Sequence, residues 1–336
     1  MEFDGKYFYV LEKDKLCVYK PSGKTPELVT TVFISPGDGG LLVTKDAIYL
    51  SGGQNLFVFD KADRKKDSHF DAVLTAPAPP KGVSVPHAYN QIFGNNFLQI
   101  GNRIVFYGQI VDISDPLAPK LSAPFGNPFN GSHADKKTIA LTEAGKVTFY
   151  DVSKFPECIV LGTYTPPKEV KGAVTDVKTV GNIAVVIHGN MLETVDISDP
   201  TAPKLMESFE IDNACMMVSC GNFIYIPTMP SAKKKSVFIY DVTNRKLHEK
   251  EGLLKSGCTA MTISGKQLFM TDASDVRQFD LSDPLNPKET SVYNYDIPGT
   301  PIDQTNDFSA LAVYDGVLYA RKYSRVTLWK IQNGGK

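Results

Sequence analysis

The sequence lacks an excess of charge of either sign. Over 336 residues, 36 lysines and arginines stand against 37 aspartates and glutamates, a formal net charge of −1. A nucleic-acid surface calls for a clear basic excess on one face, so the balance argues against nucleic acid as a partner. The short basic runs Arg64-Lys65-Lys66 and Lys233-Lys234-Lys235 read as solvated loop tips. There is no apolar run long enough to span a membrane and no signal peptide. Cysteine is scarce: Cys17, Cys158, Cys215, Cys220 and Cys258 are odd in number and form no Cys-x-x-Cys. This rules out a dense disulfide framework and makes buried free thiols the default. No stretch of a dozen residues carries apolar positions at helical spacing with caps, so helix is expected to be scarce. Gly-x-Gly-x-x-Gly, the P-loop, Gly-x-Ser-x-Gly and His-Glu-x-x-His are all missing, and with them the chemistries they mark.

The chain does carry an internal repeat. Val111-Asp112-Ile113-Ser114-Asp115-Pro116-Leu117-Ala118-Pro119-Lys120-Leu121 is matched by Val195-Asp196-Ile197-Ser198-Asp199-Pro200-Thr201-Ala202-Pro203-Lys204-Leu205, and Phe279-Asp280-Leu281-Ser282-Asp283-Pro284-Leu285-Asn286-Pro287-Lys288 is a third copy. Weaker copies surround Tyr150-Asp151, Tyr240-Asp241 and Phe59-Asp60, and only the apolar lead-in survives at Tyr19 and Trp329. Taken at positions 20, 60, 112, 151, 196, 241, 280 and 330, the spacing falls near the roughly 40–50 residue period of propeller blades.

Within a unit, short runs rich in Val, Ile, Phe, Tyr and Thr alternate with turn residues, which predicts four antiparallel strands. In the unit at 173–211 these are 175–180, 183–187, 191–197 and 205–211. The Ser-Asp-Pro-x-x-Pro turn has a local cause: Asp and Ser side chains bond the backbone two residues on, and proline pre-sets φ and ends strand pairing. The expected fold is an all-β propeller of four-stranded blades in a single domain over 1–336. Its units lie near 6–33, 34–74, 84–126, 130–166, 173–211, 213–254, 257–295 and 308–333. Eight blades are preferred and seven is the alternative, since the first unit leaves no room for a full innermost strand and the last ends without a fourth.

The phrase apolar-apolar-Asp-Ile-Ser-Asp-Pro-x-x-Pro, preceded by Gly-Asn and an apolar strand, resembles the LVIVD repeat family of β-propellers. The resemblance implies a propeller that is often exported or surface-associated, and it supplies no catalytic residues. With a chain that enters its first unit at once, it makes an extracytoplasmic protein with its leader removed the expectation, a cytoplasmic one being the alternative.

In such a blade the second-to-third turns and the links between blades share one face, where a site at the channel mouth is expected. His87, His133 and His188 fall there; His87 and His133 are the catalytic candidates, for a divalent-metal site or an acid–base pair with Asp135, Asp176 or His188, imidazole being both metal ligand and proton shuttle. His69 and His248 fall on outer strands and read as structural. Asp38, Tyr89, Asp176, His188 and Asp307 are the expected ligand-binding set. Asp272, Asp275 and Asp303 add acidity, and Tyr107, Phe125, Phe129 and Tyr323 add aromatic surface suited to a sugar. Two functions follow. The first is a binding or scaffold propeller that meets a protein or glycan through loops 75–90, 228–236 and 293–307, of which 228–236 should be removable without loss of folding. The alternative is a channel-mouth carbohydrate lyase or hydrolase with His87 as base or metal ligand.

Overall fold

The computed structural model describes residues 2–12, 15–22, 26–33, 41–52, 55–61, 72–75, 98–106, 109–122, 130–133, 137–143, 145–167, 172–214, 216–273, 275–294, 308–314, 316–322 and 325–331. Among them every regular element is a β-strand. The strands form eight sheets in chain order, numbered here by the residues they span: sheet 1, 2–33; sheet 2, 41–75; sheet 3, 99–121; sheet 4, 130–164; sheet 5, 174–210; sheet 6, 218–251; sheet 7, 261–294; sheet 8, 308–330. Each is a meander whose sequence neighbours pair side by side. Seven are complete four-stranded blades, the lower of the two expected counts, and the eighth unit contributes a sheet of three strands. Sheet 1 completes its four with a two-residue strand, Glu2–Phe3, paired to Tyr9 and Phe8, ahead of the point where the sequence suggested the unit begins.

Two compact units divide the chain. Residues 1–128 with 151–159 hold sheets 1–3, and residues 129–150 with 160–336 hold sheets 4–8. In both, burial follows strand position. The third strands Asn55–Asp60 and Met191–Asp196 are buried on both faces between their ends, whereas the outer strand Lys204–Glu210 is largely exposed. Apolar side chains from successive sheets interlock: Tyr9, Leu16 and Val18 with Leu50 and Phe57 in the first unit, and Val185, Ile187 and Leu192 with Ile224 and Phe238 in the second. Residues buried on both faces of a strand explain why these segments read as continuous apolar runs rather than as alternation.

Two kinds of turn join the strands. The first-to-second turns of sheets 3, 5, 6 and 7 are two-residue hairpins closed by Ile100↔Arg103, Val180↔Ile183, Cys220↔Phe223 and Ser264↔Gln267. Their first central residue is Gly101, Gly181, Gly221 or Gly265, at φ from 54° to 57°, where a side chain would be strained.

The third-to-fourth turns carry the repeat signature. Asp112 Oδ1 accepts from Ser114 N and Oγ at 2.9 and 2.6 Å, and Asp196 Oδ1 accepts from Ser198 N and Oγ at the same distances. Asp280 Oδ1 repeats this with Ser282 N and Oγ at 3.0 and 2.9 Å. The second aspartate closes the next step, Asp199 Oδ1 accepting from Thr201 N at 3.0 Å and Asp283 Oδ1 from Leu285 N at 3.2 Å. The signature is therefore a turn builder, as its composition suggested.

These turns also reach back onto the preceding sheet. The carbonyl of Pro116, in the turn of sheet 3, accepts from the hydroxyl of Tyr49 in sheet 2 at 2.9 Å. The carbonyl of Pro284, in sheet 7, accepts from Tyr225 in sheet 6 at 3.1 Å. In sheet 4, Val152 O takes a hydrogen bond from the Arg103 guanidinium of sheet 3, which also lies over the Phe155 ring. In sheet 5 the turn lies so close to sheet 4 that a Cβ on Gly162 would stand 2.4 Å from Pro200 O. Sheet 6 breaks the pattern. From turn aspartate to following lysine the chain runs 112 to 120, 196 to 204 and 280 to 288, but only 241 to 246 in sheet 6.

Candidate functional site

Several expected site residues lie outside the described set: Asp38, His87, Tyr89, Asp303 and Asp307, together with Asp135, Tyr107, Phe125, Phe129, Tyr323, His69 and Cys215. His133 ends the inner strand Asn130–His133 opposite Ile139, and its side chain is likewise outside that set. Asp176, His188, Asp272 and Asp275 are described, all at the second-to-third-turn end of sheets 5 and 7 or next to it.

Asp176 is a clamp between inner strands. It follows a bulge at 174–176 and is 2% exposed. Its Oδ1 accepts from Val177 N and its Oδ2 from Met217 N, each at 2.9 Å. Burial pushes its carboxyl up to about 6, against the opposing pull of Lys178 and the two amides. Its oxygens hold backbone across successive sheets.

His188 closes the second strand of sheet 5, and Glu193 sits on the third, one diagonal step away. Both are buried, His188 Nδ1 lies 3.8 Å from Glu193 Oε1, and the hydroxyl of Tyr164, from sheet 4, donates to Glu193 Oε2 at 2.9 Å. Burial and the Glu193 charge raise the Tyr164 phenol well above its usual range.

The same diagonal recurs in two other sheets. Thr148 Oγ1 donates to Glu143 Oε2 at 3.0 Å in sheet 4. In sheet 7 Arg277 Nε pairs with Asp272 Oδ2 at 2.6 Å, with Arg277 Nη1 on Glu289 at 2.5 Å. Asp272 Oδ1 further accepts from Ser256 N and Oγ, both at 2.7 Å. These acids brace the sheet ends from inside. Sequence reading missed Glu193 and Arg277 because a charge in mid-strand reads as a solvent-facing alternation, and only the burial of both faces reveals otherwise.

The loop at 228–236 stands apart. Every other sheet steps from its second to its third strand with two residues between the strands, while sheet 6 uses 228–235, between Phe223–Pro227 and Ser236–Asp241. The loop is tied to its neighbours. Met229 N donates to Asn213 O and Cys258 N to Thr228 O, both at 2.9 Å. Asn213 Nδ2 donates to Ser231 Oγ at 2.6 Å and Lys234 N to Asp212 Oδ2 at 3.1 Å. Inside it, Lys235 Nζ donates to the carbonyls of Pro230 and Ala232. Lys234 Nζ pairs with Glu249 and Glu251 at 2.9 and 2.8 Å. Ser231, Lys233 and Lys234 remain exposed at its crest. The expectation that this segment is removable without loss of folding does not fit these ties, since its backbone bonds two flanking segments.

At the other end of sheets 5 and 6 lies a groove of about 340 Å³. Val180, Ile183, Met206 and Val242 form its apolar wall, and Asp196 and Arg245 stand at its polar side. Its sequence signal was the three-residue shortening between Asp241 and Lys246.

Among the described residues no three of His, Cys, Asp and Glu gather as a metal set, and no helix is long and apolar enough to cross a membrane. Cys17 and Cys258 are buried free thiols and Cys158 and Cys220 are partly buried ones. Burial pushes Cys258 up to about 12.

Stacked four-stranded meanders of this kind define a β-propeller. Solved structures share the fold. A computationally designed protein, Ika8, aligns with a TM-score of 0.67 at 12% identity, covering 98% of this chain and 95% of that one. BamB from Moraxella catarrhalis aligns at 0.58 and 12%, covering 100% and 97%. A functionally unknown protein from Desulfotomaculum acetoxidans aligns at 0.53 and 12%, covering 86% and 95%. The LVIVD repeat model matches residues 109–125 and 171–211, in sheets 3 and 5, so the chain carries LVIVD repeats within a β-propeller fold. No curated protein matches the sequence.

Proposed function

We propose that this protein is a binding propeller that holds a protein partner against the second-to-third-turn end of sheet 6. The observation that carries the reading is the loop at 228–236. The other sheets turn in two residues, and this one retains a longer segment fixed from three sides. A pre-ordered loop loses little entropy on binding, which is how rigid scaffolds present recognition elements. The exposed Lys233 and Ser231 at its crest suit an acidic or hydroxyl-rich partner surface. The propeller relatives support a scaffold role by fold-level analogy. We further propose an extracytoplasmic location, which only the repeat resemblance supports, and cell fractionation checks that part.

Site-specific photo-crosslinking tests the proposal. A crosslinker is installed at Ser231 or Lys233, and as a control at the exposed Ser282, in the third-to-fourth turn of sheet 7. A discrete adduct from the first pair and none from Ser282 is the expected result. Adducts from Ser282 alone, or none from any position, would overturn it.

A further inference from the structure

The groove between sheets 5 and 6 marks a missing part. The turns of sheets 3, 4, 5 and 7 each lean onto the sheet before them, through Pro116 to Tyr49, Val152 to Arg103, Pro200 over Gly162, and Pro284 to Tyr225. Sheet 6 has four residues between Asp241 and Lys246 where sheet 5 has seven between Asp196 and Lys204. The short turn also removes a structural companion of the long one. Sheets 5 and 7 carry a bulge in the outer strand just past the turn, at Met206 and Thr290, and sheet 6 pairs there in unbroken register. The turn of sheet 6 therefore stops short of sheet 5, and the uncovered seat is the groove, with Met206 in its wall.

We propose that this groove is a docking seat for an acidic, proline-containing turn of a partner protein, which completes the propeller where its own turn does not reach. Two features select that occupant. In sheets 3, 5 and 7 the turn that leans onto the sheet before is an Asp-Pro turn, and the groove's volume and its apolar wall of Val180, Ile183, Met206 and Val242 suit a proline ring and two or so flanking residues. The charge is also complementary. Arg245 is exposed, sits at a left-handed φ of 53°, and forms no direct ion pair among the described residues, its charge reaching Asp196 only across the groove. The turns that fill the other seats each carry an exposed aspartate, Asp115, Asp199 or Asp283, and a partner turn of the same kind brings one to the guanidinium, a geometry arginine favours. Asp196, across the groove, already spends Oδ1 on Ser198. Its charge selects against an occupant that is acidic throughout and favours a single carboxylate flanked by backbone N–H donors.

This site lies at the opposite end of the sheets from the loop at 228–236, so the two readings fail separately. The test uses the full chain and a capped synthetic peptide, Ile-Ser-Asp-Pro-Thr-Ala-Pro, in an NMR titration. Saturable shifts at Met206 and Val242 are expected, with affinity about fivefold weaker for Arg245→Glu, the size of an exposed ion pair. A second variant replaces 242–245 with the sequence of 197–203, so that the chain covers its own groove. Peptide binding should then vanish. Failure to saturate by roughly 1 mM, or equal affinity for wild type and Arg245→Glu, overturns the proposal. Analytical ultracentrifugation separates the remaining source of such a turn, a second copy of the chain. A dimer that Arg245→Glu abolishes would overturn the partner assignment in favour of self-association.

Discussion

The hydroxyl of Tyr225 donates to the carbonyl oxygen of Pro284 at 3.1 Å, joining residues 59 apart in sequence. Tyr49 and Pro116 do the same at 2.9 Å across 67 residues. Both phenols are buried, and burial is the main reason that Tyr49 is raised to about 12 and Tyr225 further still. Each fastens a turn to the sheet before it. Tyr225→Phe keeps the ring and removes the donor, leaving a partly buried carbonyl unpaired. A loss of about 1 kcal/mol is expected, read as a shift in urea midpoint with unchanged m-value. No shift would mean that the bond contributes nothing net.

Asp176 gives a defined pH dependence. Its folded carboxyl, at about 6, binds a proton more tightly than the ordinary value of 3.8, because burial penalises the charge. Folding therefore takes up a proton between those values. Its contribution is greatest below about pH 4, falls as pH rises through 6, and is level beyond, with a total change of about 3 kcal/mol. Asp4 has the opposite sign. Burial alone would raise it, but Lys61, the Tyr9 hydroxyl and the amides of Tyr7 and Lys6 hold it well below the usual range. Its contribution is present above 3.8 and lost in stronger acid. Chemical denaturation of wild type and Asp176→Asn from pH 4 to pH 7 isolates the first effect. The wild type should lose stability relative to the variant as pH rises, and parallel curves would refute the assignment.

The ion pair of Asp272 with Arg277 is nearly inaccessible, its side chains 1% and 10% exposed. Removing one member leaves a charge in low dielectric, so Asp272→Ala should cost about 3 kcal/mol. Lys234→Ala, which breaks pairs with Glu249 and Glu251 at a solvent-screened site, should cost far less. Thermal melts of the two variants side by side test the ranking, and equal effects would contradict it.

Gly257 holds the loop at 228–236 from beneath. It sits at φ 90°, and a Cβ there would stand 2.6 Å from Met229 C and Pro230 N. Gly257→Ala should therefore displace the loop and cost about 2 kcal/mol from strain and overpacking. Hydrogen exchange should rise at Met229 N and Cys258 N, whose bonds tie the loop down. Exchange unchanged at both amides would show that the glycine is not what fixes the loop.

Strand positions were legible because turn chemistry brackets them. The strands expected at 175–180, 183–187, 191–197 and 205–211 are observed at Val174–Val180, Ile183–His188, Met191–Asp196 and Lys204–Glu210. The role of the Asp-Ser pair was legible too, since it depends on neighbours two residues away. What could not be read were contacts across sheets. Nothing local to Tyr225 points to Pro284, and nothing local to Asp176 points to Met217 N. The loop at 228–236 could be found by its length, but its ties to Asn213 and Cys258 could not, so it looked removable. Arg245 carries no signal in the repeat, because it lies in the turn where the repeat is shortened and not among the residues that recur.

The described ties of third-to-fourth turns run one way, from a later sheet to an earlier one. During synthesis a sheet emerging from the ribosome is therefore unfinished until its successor follows, and each new turn clasps the sheet already made. Assembly acquires a direction from N-terminus to C-terminus. Among the described third-to-fourth turns the short one is that of sheet 6, so sheet 5 receives a shorter clasp than sheets 2, 3, 4 and 6 do, which makes the step between sheets 5 and 6 a natural pause in that progression.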